Sequence, residues 1–261
     1  MARFCPLASG SEGNSTYISF GSISILVDAG IPYKSICEGV TRSGGDISKI
    51  SAVAITHSHT DHIYGLKTLL KKTGAPLYAT RDTVEDLIRK NVLPENTEFF
   101  DIDALSVNIG DIEINRFKTS HDAEGSCGYK IISPNGSCAV CTDLGIVTGE
   151  VRQALSGCDI VLFEANHDID MLRRGPYPAQ LKIRILSDLG HLSNISSSAE
   201  IPFLLKNGTK QIILGHISRK NNTPDLALYS AISSAHTIGA KKDVDYLISA
   251  AKVGFSGVSV F

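Results

Sequence analysis

Val53-Ala54-Ile55-Thr56-His57-Ser58-His59-Thr60-Asp61-His62 is the stretch on which the reading of this chain turns. An apolar, β-branched run enters it, and Leu66, Leu69 and Leu70 leave it at helical spacing before Gly74. Between strand and helix stand three imidazoles and a carboxylate within six residues. These are the donors that suit divalent zinc, manganese or iron. On extended backbone, alternate residues project to the same side, so His57 and His59 can turn toward one ion. Asp61 and His62 fall on the turn that follows, where they can face a second ion beside the first.

Working outward, the chain supplies further donors in a repeated position. His121 follows the run Ile112 to Phe117, Asp143 follows Ala139 to Thr142, and His216 follows Ile212-Ile-Leu-Gly215. Each stands just past the C-terminal end of an apolar segment. In α/β sheets that edge is where side chains leave the core and converge over the sheet.

The surrounding pattern alternates strands and helices. Strands are predicted at Tyr17 to Phe20, Ile23 to Val27, Ala52 to Ile55, Ile112 to Phe117, Ala139 to Thr142, Ile160 to Phe163 and Gln211 to Leu214. Asp82-Thr-Val-Glu85 reads as a capping box opening a helix toward Asn91, and Thr148 to Gly157 reads as another. Ser197-Ser-Ala-Glu200 is expected to cap a helix closing at Asn207-Gly208, and Pro224 to open one carrying Leu226, Tyr229 and Ile232. With no low-complexity linker and no short-period repeat, the expectation is one α/β domain over residues 1–261, built from two similar halves.

Composition excludes several classes. The 261 residues are 43% hydrophobic and 20% charged, which rules out disorder, collagen and coiled coil. Lys+Arg 25 against Asp+Glu 27 leaves a net charge of -2, so any site for a polyanion must be local. The apolar run Ile23 to Ala29 is broken by Ser24 and Asp28 and falls far short of the roughly 20 residues a spanning helix needs. The beginning Met1-Ala-Arg-Phe-Cys-Pro-Leu-Ala-Ser-Gly has no apolar signal core, and the six cysteines are scattered. A cytoplasmic protein with reduced thiols is expected. Cys138-Ala-Val-Cys141 has no second pair, and a strand sends its two ends to opposite faces, so it reads as packing.

His57-x-His59-x-Asp61-His62, with His121, Asp143 and His216, resembles the signature of the metallo-β-lactamase fold superfamily of binuclear metallohydrolases nearly end to end. The resemblance implies a four-layer αββα sandwich with the metal site at the edge of the sheets. It implies two divalent ions, Zn²⁺ or Mn²⁺ or Fe²⁺. His57, His59 and His121 would hold one, Asp61, His62 and His216 the other, and Asp143 would bridge them. Asp28 sits where the family often keeps an aspartate that supports the histidine loop. Leu7-Ala-Ser-Gly-Ser-Glu-Gly-Asn-Ser15, Glu164-Ala-Asn-His-Asp168, Gly190-His-Leu-Ser-Asn194 and His216 to Pro224 are similar to the bacterial WalJ (YycJ) subgroup. That subgroup implies DNA as substrate and 5′ to 3′ exonuclease action on duplex. The long insertion of the β-CASP nucleases and the exosite arm of ribonuclease Z have no counterpart here.

Two ions about 3.5 to 4 Å apart generate a bridging hydroxide at neutral pH and stabilise the attacking and leaving oxygens of phosphoryl transfer. In that scheme Asp61 binds metal and orients the nucleophile. His191 and His167 are candidates for phosphate contact or general acid. Ser9 to Ser15 is either a hairpin turn or, through Ser11 and Asn14, a rim that holds phosphate; Asn194 is placed with the substrate contacts. Arg173, Arg174, Lys182 and Arg184, with Arg219-Lys220, supply local positive charge, while Tyr177 and Tyr129 are candidates for base stacking or for packing. His236 reads as a surface residue of a helix. The same fold also serves hydrolysis of small esters, lactones and thioesters, which stands as the alternative activity. The diiron redox branch is expected to differ at His59 or His62, and a scaffold kept only for binding would have lost ligands.

Overall fold

In the computed structural model, which describes residues 2–103 and 106–261, each half of the chain builds most of one mixed sheet, and the C-terminal strand crosses back to the edge of the first. The elements in chain order are β1 (Ala2–Ala8), β2 (Ser15–Phe20), β3 (Ile23–Val27), α1 (Tyr33–Arg42), β4 (Ala52–Ala54), α2 (Thr60–Ile63), α3 (Leu66–Thr73), β5 (Leu77–Ala79), α4 (Arg81–Arg89) and β6 (Phe99–Asp101). The second half continues with β7 (Ser106–Ile109), β8 (Ile112–Lys118), β9 (Cys127–Ser133), β10 (Gly136–Cys141), α5 (Gly149–Leu155), β11 (Ile160–Glu164), α6 (Ile169–Arg174), α7 (Ala179–Leu186), α8 (Asn194–Lys206), β12 (Gln211–Gly215), α9 (Pro224–His236), β13 (Leu247–Ala250) and β14 (Ser259–Val260). The first sheet runs β14-β1-β2-β3-β4-β5-β6 and the second β13-β12-β11-β10-β9-β8-β7.

Alternation along the strands builds three cores. Ile25, Val27, Ala52 and Ala54 of the first sheet meet Val140, Ile160, Leu162 and Ile213 of the second in the layer between the sheets. Leu26 and Val53, one residue out of phase, pack outward with Ile36 and Val40 of α1 and Leu66, Leu69 and Leu70 of α3. Ala139, Cys141, Val161 and Phe163 pack outward with Val151, Ile201, Leu204 and Ala231 from α5, α8 and α9. The result is the αββα sandwich. Each buried Leu, Ile or Phe side chain removed from water contributes roughly 1.5–3 kcal/mol, so these layers fix where the sheet edges lie. Cys138 faces the inter-sheet core and Cys141 the helices, as their spacing on a strand requires.

Two helices begin elsewhere than the sequence pattern suggests. In α4 the cap is Thr80, whose side chain accepts from the Thr83 amide at 3.3 Å, rather than Asp82. In α8 the cap is Ser193, accepting from Ser196 at 3.1 Å, so Ser197 is already inside the helix. The acid expected to complete the later box, Glu200, is bound instead by Arg152 of α5 through two bonds of 2.7 Å. Competing cap residues two or four positions apart are equally good locally, and tertiary pairing decides between them.

Strands β3, β4 and β5 are parallel, as are β10, β11, β12 and β13, so their C-terminal ends lie on common edges. Three non-glycine residues at this edge adopt left-handed backbone: Asp28 (φ 62°), Asp143 (φ 61°) and His216 (φ 54°). Such a conformation costs on the order of 1–2 kcal/mol per residue and persists where surrounding contacts fix it. Each turns its side chain off the strand and into one polar cluster.

Candidate metal centre

Two groups of side chains meet at this edge. In the first, His57 Nε2 lies 3.1 Å from His59 Nδ1, which lies 3.3 Å from His121 Nε2. In the second, Asp61 Oδ2 lies 3.5 Å from His62 Nε2 and 3.7 Å from His216 Nε2. Asp143 stands between them, with Oδ2 3.3 Å from His62 Nε2 and Oδ1 3.9 Å from His121 Nε2. All seven donors expected from the sequence are thus brought together.

The outward nitrogens fix the tautomers. His62 Nδ1 donates to Asp28 at 2.8 Å, His216 Nδ1 to Glu164 at 2.8 Å, and His121 Nδ1 to the Gly190 carbonyl at 3.2 Å. The Thr56 hydroxyl gives its hydrogen to Asp28 and accepts from His57 Nδ1 at 3.1 Å. Each of these four rings therefore turns its other nitrogen inward, and in neutral His57 and His121 that nitrogen carries a lone pair. The His59 Nδ1 atom lies within hydrogen-bond distance of both His57 Nε2 and His121 Nε2 and cannot satisfy both with one proton, and His216 Nε2 and Asp143 Oδ2 are buried without any hydrogen-bond partner. A divalent cation satisfies such a donor set, and within each group of three the donor atoms lie within 4.8 Å of one another.

Electrostatics agree with this arrangement. Burial holds His57, His59 and His121 below the ordinary histidine range, so this triad is neutral and ready to ligate. Burial also penalises charge on His62 and His216, but the surrounding carboxylates outweigh it and hold both well above that range: Asp28, Asp143 and Asp61 at His62, Asp143 with Asp61 and Glu164 at His216. Asp143 is pulled well below the carboxylate range by His216 and His62 despite its burial. Without a cation the site is therefore held together by buried ion pairs.

Asp28 lies under the histidine loop as expected, accepting from the Thr56 amide at 2.9 Å as well as from His62. Glu164, the last residue of β11, is a participant with no role expected from the sequence. It is fully buried, accepts from His191 Nδ1 at 2.9 Å and His216 Nδ1 at 2.8 Å, and is thereby held at about 2 although burial alone would raise it. Its signal was available: an acid closing an apolar strand, the placement that Asp28 and Asp143 share. Asp122, beside His121, is a second unassigned acid and is bound by Arg184, whose Nη2 donates at 2.9 Å.

The centre opens into a cleft of about 390 Å³ lined by Ser11, Asp61, Tyr177, Arg184 and His191 among others. Ser11 is on its wall. Asn14 is buried beside the centre, its amide donating to the Gly10 carbonyl at 3.1 Å and lying 3.3 Å from Asp61 Oδ2 and 3.0 Å from His62 Nε2. Its place is that of a brace for Asp61. Asn194 is not on the cleft wall; its amide exchanges two 2.8 Å bonds with Asn222 beneath it. His167 is buried behind Glu164 and His191, with both ring nitrogens unpartnered and its pKa lowered to about 4 by burial. Tyr129 is sealed in the inter-sheet core with its hydroxyl on the Ile55 carbonyl at 2.8 Å, so it cannot stack on a base; Tyr177 remains at the cleft.

Known proteins share this fold and much of this sequence. A family model described as the beta-lactamase superfamily domain matches residues 24–217. The chain is 35% identical over 250 residues to exodeoxyribonuclease WalJ of Streptococcus pneumoniae, covering 94% of this chain and 93% of that one. It is 36% identical over 231 residues to exodeoxyribonuclease YycJ of Bacillus anthracis, covering 87% of each. Among solved structures, the metallo-beta-lactamase fold protein YhfI from Bacillus subtilis superposes with a TM-score of 0.73 at 17% identity, over 99% of this chain and 98% of that one. With its sandwich, its edge cluster and these matches along nearly its whole length, the chain belongs to the metallo-β-lactamase superfamily, in the group that includes WalJ and YycJ.

Proposed function

We propose that this protein is a metal-dependent phosphodiesterase that degrades DNA, acting as a 5′ to 3′ exonuclease on duplex ends. The observation that carries the hydrolytic part is the convergence of His57, His59 and His121 on one side of Asp143, and of Asp61, His62 and His216 on the other. That donor set suits two divalent ions, and its mixture of imidazole and carboxylate suits zinc, manganese or iron. The DNA part is supported by the two exodeoxyribonuclease relatives.

Bound divalent ions supply Lewis acidity toward a phosphoryl oxygen and a nucleophile at neutral pH. The protein's own groups do the rest. Asp61, braced by Asn14, orients the attacking water from the side of the cleft floor. His191, fixed through Nδ1 by Glu164, presents Nε2 to the cleft and hands its proton to the leaving oxygen. Glu164 keeps His191 and His216 in register, so proton donor and metal ligand move as one unit. Arg184, anchored by Asp122, places a fixed positive charge on the cleft wall beside the phosphate.

A direct test sets phosphodiester against carboxyl-ester chemistry in the metal-loaded protein. Hydrolysis of bis-para-nitrophenyl phosphate and DNA, with lactone and thioester substrates left intact, is expected. Preferential turnover of the lactone or thioester would overturn the assignment.

A further inference from the structure

The cleft does not end at the metal centre. Ser11, Tyr177 and Ser218 line it and also line a second hollow of about 230 Å³, whose far wall is Glu12, Arg219 and Lys220. The two form one groove, with Arg184 beside the centre at one end and Lys220 at the other. Tyr177 is half-buried where they join, and the Lys220 ammonium sits 5.7 Å from its ring centroid.

From this groove, and resting on the hydrolytic reading above, we propose that the protein takes the DNA strand that comes unpaired at the end of its duplex substrate: a base of that stretch stacks on Tyr177, and its phosphates run from Arg184 to Lys220. The ring is what distinguishes an unpaired strand from a duplex. A base inside a duplex has both faces covered by its neighbours, whereas an unstacked base offers a face to an aromatic side chain. The Lys220 ammonium gives the backbone a local positive contact that the net charge of -2 does not supply, and Arg184, paired with Asp122 through Nε and Nη2, has Nη1 left to donate to a phosphate.

Charge at the far end is tuned by an internal pair. Glu12 holds Arg219 Nη1 through bonds of 2.8 and 2.9 Å, so of the three charged side chains there only Lys220 is left uncompensated. Glu12 therefore works against a phosphate, and its neutralisation should strengthen strand binding. A purely structural role for these surface residues predicts no such gain.

The test is fluorescence anisotropy of a labelled single-stranded deoxyoligonucleotide with phosphorothioate linkages, titrated with the metal-loaded full chain. Tyr177→Ala is expected to weaken binding by roughly tenfold, the loss of one base–aromatic stack, and Tyr177→Phe to bind like the wild type. Lys220→Ala should weaken binding and flatten the slope of log K against log salt by about 0.7, the share of one phosphate contact. Glu12→Gln should tighten binding. Equal affinity across Tyr177→Ala, Lys220→Ala and the wild type would overturn the groove while leaving the hydrolytic reading in place. Binding that depends on Tyr177 and Lys220, in a protein that cleaves no phosphodiester, would support the groove and overturn the hydrolytic reading instead. Tighter binding of an RNA strand of the same sequence would overturn the assignment to DNA.

Discussion

His62 Nδ1 lies 2.8 Å from a carboxylate oxygen of Asp28, and both side chains are sealed from solvent. Through this bond a residue at the end of β3 sets the tautomer of a ring on α2 and points its other nitrogen at Asp61 and Asp143. Asp28→Asn keeps the shape but cannot reproduce the charge. It is expected to lower metal affinity by about 10- to 100-fold, read by competition with a chelator, and to leave the far-ultraviolet circular dichroism unchanged.

Glu164 ties His191 to His216, which separates two variants. His191→Ala is expected to lower kcat by about 10²- to 10⁴-fold with metal content unchanged, as the proton-donor role proposed for it requires. Glu164→Gln should lower both metal content and kcat. Metal analysis by mass spectrometry alongside steady-state kinetics distinguishes the two outcomes.

The pKa directions give the chelated protein a defined pH dependence. His62 and His216 are held above the ordinary histidine value, so their ion pairs contribute stability that is complete below about 6.5 and is lost as pH rises through their folded values. Glu164, held at about 2, contributes stability that is complete above the ordinary glutamate value and is lost as pH falls toward 2. The melting temperature of the chelated protein should therefore fall from pH 6.5 to pH 9, and metal binding at neutral pH should release protons from His62 and His216. Calorimetric titration in buffers of different ionisation enthalpy checks the release.

Gly30 packs against the backbone of Asp61, and the Gly30 amide donates to the Asn14 carbonyl at 2.8 Å. A methyl group there would occupy the space of the Asp61 carbonyl. Gly30→Ala is expected to cost about 1–3 kcal/mol in denaturant unfolding and to reduce activity by displacing Asp61 and Asn14 together.

Much of this was legible in the sequence because strand ends are. Runs such as Ile160 to Phe163 alternate between two cores, and the polar residue that breaks each run, Asp28, Asp143 or His216, stands at the edge where donors gather. The pairing of those residues was less legible. Glu164 shows its place on β11 in the sequence, but its bonds to His191 and His216 span 27 and 52 residues and exist only in the folded chain. Tyr129 and Tyr177 are alike as sequence symbols; topology puts one between the sheets and the other on the cleft. The short helix α7 borders the cleft through Leu181, Arg184 and Ile185, a placement that only the folded chain shows.

Metal-dependent exonuclease action is tested most directly by release of label from 5′-labelled duplex DNA by the purified protein with Mn²⁺, run beside His59→Ala. Time-dependent release of single nucleotides from the 5′ end by the wild type, and none by His59→Ala, is expected. Intact DNA with the metal-loaded wild type, or equal release by both proteins, would contradict it.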